Sequence, residues 1–154
     1  MIKTILVMKR IVIVFLLAIF MQVVSFAQSG SLKNPVYLGM LLIDLPSVEK
    51  MKSVCEHYDL TEEPEMDGYK VYRHSNGTEF RFRADKIAGK YLPKVIVVTK
   101  ENQKSIDKMM HDAKYTKESG GYVKGTKFEM RRTKCKVSGG LRKTLTFEKE
   151  YNTL

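Results

Sequence analysis

Tyr69-Lys70-Val71-Tyr72-Arg73-His74-Ser75-Asn76-Gly77-Thr78-Glu79-Phe80-Arg81-Phe82-Arg83 is the stretch on which the fold turns. Apolar and polar residues alternate on both sides of an Asn-Gly pair, the pattern of two half-buried strands joined by a tight turn. Asn76-Gly77 suits a two-residue type I′ turn, which needs positive φ at both central positions. Folding there opposes Val71 to Phe82, Arg73 to Phe80 and Tyr69 to Ala84 on one face. The other face then carries Tyr72 opposite Arg81 and His74 opposite Glu79. Register is tied to face, because a slip of one residue exchanges the two sides of a strand.

Downstream, Lys94-Val95-Ile96-Val97-Val98 is a continuous apolar run and reads as a central strand. Upstream, Val48, Met51, Val54, Cys55 and Tyr58 recur at helical spacing behind Ser47, a capping residue that follows Pro46. Ile106, Met109, Met110 and Ala113 repeat that stripe, capped by Ser105 or Asn102. Stripes of this kind are core. A further strand is expected at Tyr37–Ile43.

The two helical segments align directly. Ser47-Val48-Glu49-Lys50-Met51 matches Ser105-Ile106-Asp107-Lys108-Met109, and Gly77-Thr78-Glu79-Phe80 matches Gly125-Thr126-Lys127-Phe128. Arg83 falls on Arg131 with the second shift. The second unit is expected to form strands at Tyr122–Lys124, Thr126–Val137 and Leu141–Tyr151, turned at Lys124-Gly125 and Ser138-Gly139-Gly140, with a bulge near Arg131-Arg132. Element order thus repeats, as in a duplicated unit. The expected fold is α+β, a tandem repeat of one helix plus about three antiparallel strands, with the helices packed on one face of a curved sheet. Residues 28–101 form the first repeat and residues 102–154 the second, together one compact domain.

This order of elements resembles the two-repeat periplasmic folds of the beta-lactamase inhibitor protein and PepSY-like domains. It is also similar to the small lipoprotein of the outer-membrane assembly machinery, in which a Gly-Met pair leads into the first helix as Gly39-Met40 precedes Ser47 here. The resemblance implies a binding module.

Residues 1–27 read as a secretory signal. Lys3, Lys9 and Arg10 precede an apolar run from Ile11, and Ser25-Phe26-Ala27 supplies small residues at −3 and −1 of a cleavage before Gln28. The apolar run of about 11 residues is short of the ~20 that a spanning helix needs, so no integral span is expected after cleavage. No Cys follows that run, which argues against a lipoprotein. A periplasmic or secreted protein of a Gram-negative bacterium is expected.

The chain of 154 residues carries 27 Lys or Arg against 17 Asp or Glu, a formal charge of +10, and 44% apolar residues. This composition is globular and excludes a disordered chain or a polytopic membrane protein. Charge is segregated. Gln28–Tyr69 holds three basic and eight acidic residues, whereas Lys70 onward holds 21 basic and nine acidic.

Catalytic constellations are missing. His57, His74 and His111 are dispersed, and Asp107–His111 alone does not make a zinc site. No serine elbow or phosphate loop is present, so neither an enzyme nor a cofactor is expected. Cys55 and Cys135 can either form a disulfide or remain buried thiols. The functional lead is basic strands. Arg132, Lys134 and Lys136 recur at every second residue, as Arg81 and Arg83 do in the first unit.

The expected contact surface is Tyr72, Arg81, Arg83, Arg131, Arg132, Lys134 and Lys136. Its positive field would draw an acidic protein or another anionic envelope component. The alternative is a carrier or sensor of an anionic small molecule, lipid or glycan. Basic strands interleaved with Tyr and Phe also suit nucleic acid, but export argues against that partner.

Overall fold

The computed structural model describes residues 34–125 and 131–151, with the side chains of Arg131 and Tyr151 outside that description. The chain runs α1 (Val36–Leu42), α2 (Val48–His57), β1 (Thr61–Met66), β2 (Tyr69–Arg73), β3 (Glu79–Ile87), β4 (Lys90–Thr99), α3 (Gln103–Asp112), β5 (Thr116–Glu118), β6 (Gly121–Lys124), β7 (Arg131–Ser138) and β8 (Lys143–Tyr151). All eight strands join one antiparallel sheet in the order β1-β2-β3-β4-β8-β7-β6-β5. This overturns the expected α+β tandem repeat. Among the described residues a single large sheet with three short helices dominates, and each meander has four strands where about three were expected.

The additional strands lack the usual signal. β1 reads Thr-Glu-Glu-Pro-Glu-Met, a sequence poor in strand formers. As an edge strand it needs only β2 as a neighbour, and an edge tolerates Pro64. Its connection to β2 is the two-residue Asp67-Gly68 turn, with φ of 53° and 82°. Tyr37–Ile43, expected as a strand, lies in α1 and its C-terminal cap. An unbroken apolar run does not distinguish a buried strand from a buried helix.

The central hairpin is shifted by one residue from expectation. Tyr72 pairs with Phe80, Arg73 with Glu79 and Lys70 with Phe82. His74 N–H donates to the Thr78 carbonyl at 2.8 Å, and Gly77 N–H donates to the His74 carbonyl at 2.9 Å. Gly77 has φ of 95°, while Asn76 does not adopt positive φ and instead accepts from Thr78 N–H at 2.9 Å. The loop is therefore three residues, a type I turn closed by a left-handed glycine. The shift exchanges the faces. Tyr72 joins Phe80 and Phe82 in the core, and Arg81 and Arg83 lie on the side of Val71.

The core gathers Tyr72, Phe80, Phe82, Val95, Val97, Cys135, Leu145 and Phe147 from the sheet with Leu38, Leu42, Met51, Cys55, Ile106 and Met110 from the helices. Phe82 and Phe147 flank Val95 in register, and each is fully buried, worth about 1.5–3 kcal/mol per side chain. A methyl group at Gly39 would overlap Val97 Cγ2, so the glycine lets α1 lie directly on β4.

Ser47 caps α2 by accepting from Lys50 N–H at 3.2 Å, and Asn102 caps α3 by accepting from Ser105 N–H at 2.8 Å. The α3 cap thus lies one helical turn upstream of Ser105. Both helices end in a Schellman pattern. Leu60 N–H reaches Cys55 O at 3.0 Å, and Tyr115 N–H reaches Met110 O at 2.9 Å. Cap geometry consequently matches Cys55 to Met110. Among the described residues no element covers the other face of the sheet.

Candidate binding face

Cross-strand register builds that uncovered face in rows. One row runs Arg83, Lys94, Glu148, Lys134 across β3, β4, β8 and β7, and the next runs Arg81, Ile96, Thr146, Lys136. Arg132 lies opposite Glu150 on the same side. Five of the residues expected at the contact surface, Arg81, Arg83, Arg132, Lys134 and Lys136, thus share one face. Tyr72 does not. It is fully buried on the opposite side, a correction that follows from the one-residue shift in register. Arg131 begins β7 opposite Tyr151, and its side chain lies outside the described residues.

The ladder is interleaved with carboxylates. Arg132 donates twice to Glu150, from Nε at 2.9 Å and Nη2 at 2.6 Å, and Lys134 Nζ lies 3.1 Å from the same carboxylate. These hydrogen bonds, from Arg132 first, hold the Glu150 carboxyl below its usual range. Lys94 pairs with Glu148 at 3.1 Å, and that bond raises the ammonium pKa. Arg81 Nη2 lies 2.8 Å from Glu79. Arg83 sits over the Tyr69 ring at 4.5 Å, with Asp85 as far as 3.8 Å. The Nε atoms of Arg81 and Arg83 are buried without a hydrogen-bond partner.

Sequence reasoning missed Lys94, Glu148 and Glu150. Lys94 opens an apolar run; the carboxylates of β8 meet Arg132 and Lys134 through the β7–β8 hairpin, and Glu148 meets Lys94 because β8 also pairs with β4. The acidic stretch before Tyr69 does not shield β7. Its strand, β1, lies toward the opposite edge and pairs Glu63 with Arg73 and Glu65 with Lys70.

Elsewhere the chemistry is quiet. Of the two alternatives for the cysteines, the structure holds Cys55 and Cys135 as free, buried thiols. Burial pushes both thiols up to about 12, far from the thiolate a nucleophile needs. Asp107 accepts from Tyr122 Oη and from Gln103 Nε2 at 3.2 Å, beside a cleft of about 200 Å³. The Tyr122 bond holds the Asp107 carboxyl low, and burial followed by that bond pushes the Tyr122 hydroxyl up. Both groups move away from the neutral range suited to acid–base work. Among the described residues no group of three His, Cys, Asp or Glu could hold a metal ion.

No family model, curated protein or solved structure matches the chain. Residues 1–27, expected as a signal, lie outside the described residues, among which no helix is long and apolar enough to cross a membrane.

Proposed function

We propose that the chain is an exported, non-catalytic binding protein of the bacterial envelope that recognises an acidic protein partner through the uncovered face of its sheet. One observation carries this reading. Within the two central rows, Arg81, Arg83, Lys94, Lys134 and Lys136 share the face with Glu148 and half-buried Ile96, while Glu79, Asp85 and Glu150 approach Arg81, Arg83 and Lys134 from the flanking positions. Charged side chains interleaved with apolar area suit an interface that gains specificity from charge and affinity from burial. The edges are poor docking sites. β1 carries Glu62, Glu63, Pro64 and a register shift, and β5 has three residues. Export rests on residues 1–27.

The test is capture from envelope extract with the full chain carrying a C-terminal tag, eluted in salt steps. One acidic protein should be retained past moderate salt by the wild type and lost when Arg81, Arg83, Lys134 and Lys136 are together changed to Glu. Retention by the fourfold variant would mean that this face is not the docking surface.

A further inference from the structure

We infer that the docking centre is the Arg81–Arg83–Lys94 triad of β3 and β4, and that it takes an extended segment of the partner bearing two carboxylates two residues apart. This deepens the proposed function and rests on it. The uncovered side of β3 reads Glu79, Arg81, Arg83, Asp85. Arg81 leans on Glu79 at 2.8 Å, and the carboxylate nearest Arg83 is Asp85 at 3.8 Å. The intramolecular carboxylates therefore stand at the two outer ends, and the described ion pairs place none between the two guanidinium groups. Across the strand, Arg83 lies directly opposite Lys94, a like-charge pair that costs stability unless an anion joins it. Lys94 finds Glu148 on its other side, and its remaining partner is the neutral hydroxyl of Tyr69 rather than a carboxylate.

The triad also keeps donor capacity in reserve. A guanidinium has five N–H donors. Arg83 makes no hydrogen bond among those described, and the Tyr69 ring under it at 4.5 Å holds it in place, which lowers the entropy lost on binding. Arg132 and Lys134 differ, because Glu150 already binds both, and the Arg132 side chain is only 16% exposed against 37% for Arg83.

Spacing identifies the occupant. Residues two apart on a strand repeat every ~6.6–6.8 Å, and an extended acidic segment repeats its side chains at the same interval. Glu79 and Asp85 repel acids at the flanking positions. The complement is an alternating pattern of base, acid, acid, base, which a lone phosphate or a uniformly acidic chain does not supply.

The experiment is an NMR titration of ¹⁵N-labelled protein made from the full coding sequence. Two peptides of equal net charge serve as probes, Ac-Lys-Thr-Glu-Thr-Glu-Thr-Lys-NH2 and its inverse, Ac-Glu-Thr-Lys-Thr-Lys-Thr-Glu-NH2. The first should shift Arg81, Arg83 and Lys94 saturably and bind at least about fivefold tighter than the second. Arg83→Gln and Lys94→Gln should each weaken it about fivefold or more, and Arg132→Gln by less than about twofold. Equal affinity for both peptides, shifts centred on β7, or no saturable binding overturns the triad. A variant that misfolds declares itself by collapsed amide dispersion, and the other triad variant then decides. If the envelope partner is captured but neither triad variant releases it, the docking face stands and the triad falls. If no partner is captured either, the docking face falls as well.

Discussion

Tyr72 stacks on Phe82 with ring centroids 5.6 Å apart and planes 8° from parallel, yet its buried hydroxyl has no hydrogen-bond partner. The ring contributes to the core and the oxygen detracts from it. A buried hydroxyl left unpaired costs about 1–3 kcal/mol. Tyr72→Phe should therefore raise the unfolding free energy by about 1 kcal/mol, while Tyr72→Ala should lower it by about 3–5 kcal/mol. Urea denaturation of the two variants checks this, and a destabilised Phe variant would mean that the hydroxyl is satisfied in solution.

Stability should fall on the alkaline side. Cys55 and Cys135 are pushed up to about 12 in the folded protein, mainly by burial, whereas an unfolded thiol titrates near ~8.5. Native packing thus favours the protonated thiol. Its contribution is intact below the unfolded value and is lost as pH rises from there toward about 12. Burial first, and then the Glu62 charge, raises Tyr72 to about 12, which acts in the same direction. Denaturation midpoints measured from pH 7 to 11 should decline above about pH 9, and more shallowly when both cysteines are replaced by Ala. The native wild type at neutral pH should leave both thiols unreactive to a chromogenic disulfide, and unfolding without reductant should release both. A denatured, unreduced chain with no reactive thiol would overturn this.

The turns make opposite predictions at neighbouring hairpins. Gly77 alone carries positive φ in the Ser75–Gly77 loop, so Gly77→Ala should cost about 1 kcal/mol. Asn76→Ala loses one local hydrogen bond and no backbone strain, so its cost should be smaller. At the β3–β4 turn Ala88 adopts φ of 54° beside Gly89. Ala88→Gly relieves that strain and should stabilise by about 0.5–1 kcal/mol. Thermal unfolding of the three variants orders them. An equal cost at Asn76 and Gly77 would restore the two-residue turn.

That turn also marks what the sequence could and could not convey. Ser47 as a cap, the Met51–Cys55 and Ile106–Met110 stripes, and Val95–Val98 as a strand are local patterns, and they form as read. The register of the central hairpin depends on whether Asn76 takes positive φ, a choice that both the asparagine and its neighbours permit. The face of Tyr72 and of both arginines followed from that choice. β1 was illegible because an edge strand is defined by the strand beside it rather than by its own composition. The pairing of Arg132 with Glu150 lies within the β7–β8 hairpin, whereas that of Lys94 with Glu148 depends on β8 entering beside β4, a long-range event with no local trace. The basic period of two was visible in the sequence, but its neutralisation was not.

The position of β8 reaches beyond the finished structure. The last strand in chain order sits in the middle of the sheet and closes it by pairing with β4 on one side and β7 on the other. Until Lys143–Tyr151 has been made, Lys94–Thr99 is an unpaired edge of a largely apolar strand. Such edges recruit other chains. Assembly must wait for this keystone strand, so the nascent chain passes through a stage in which its most β-prone segment is held only from one side. Late closure of this kind favours a chain kept unfolded and escorted until that strand has emerged.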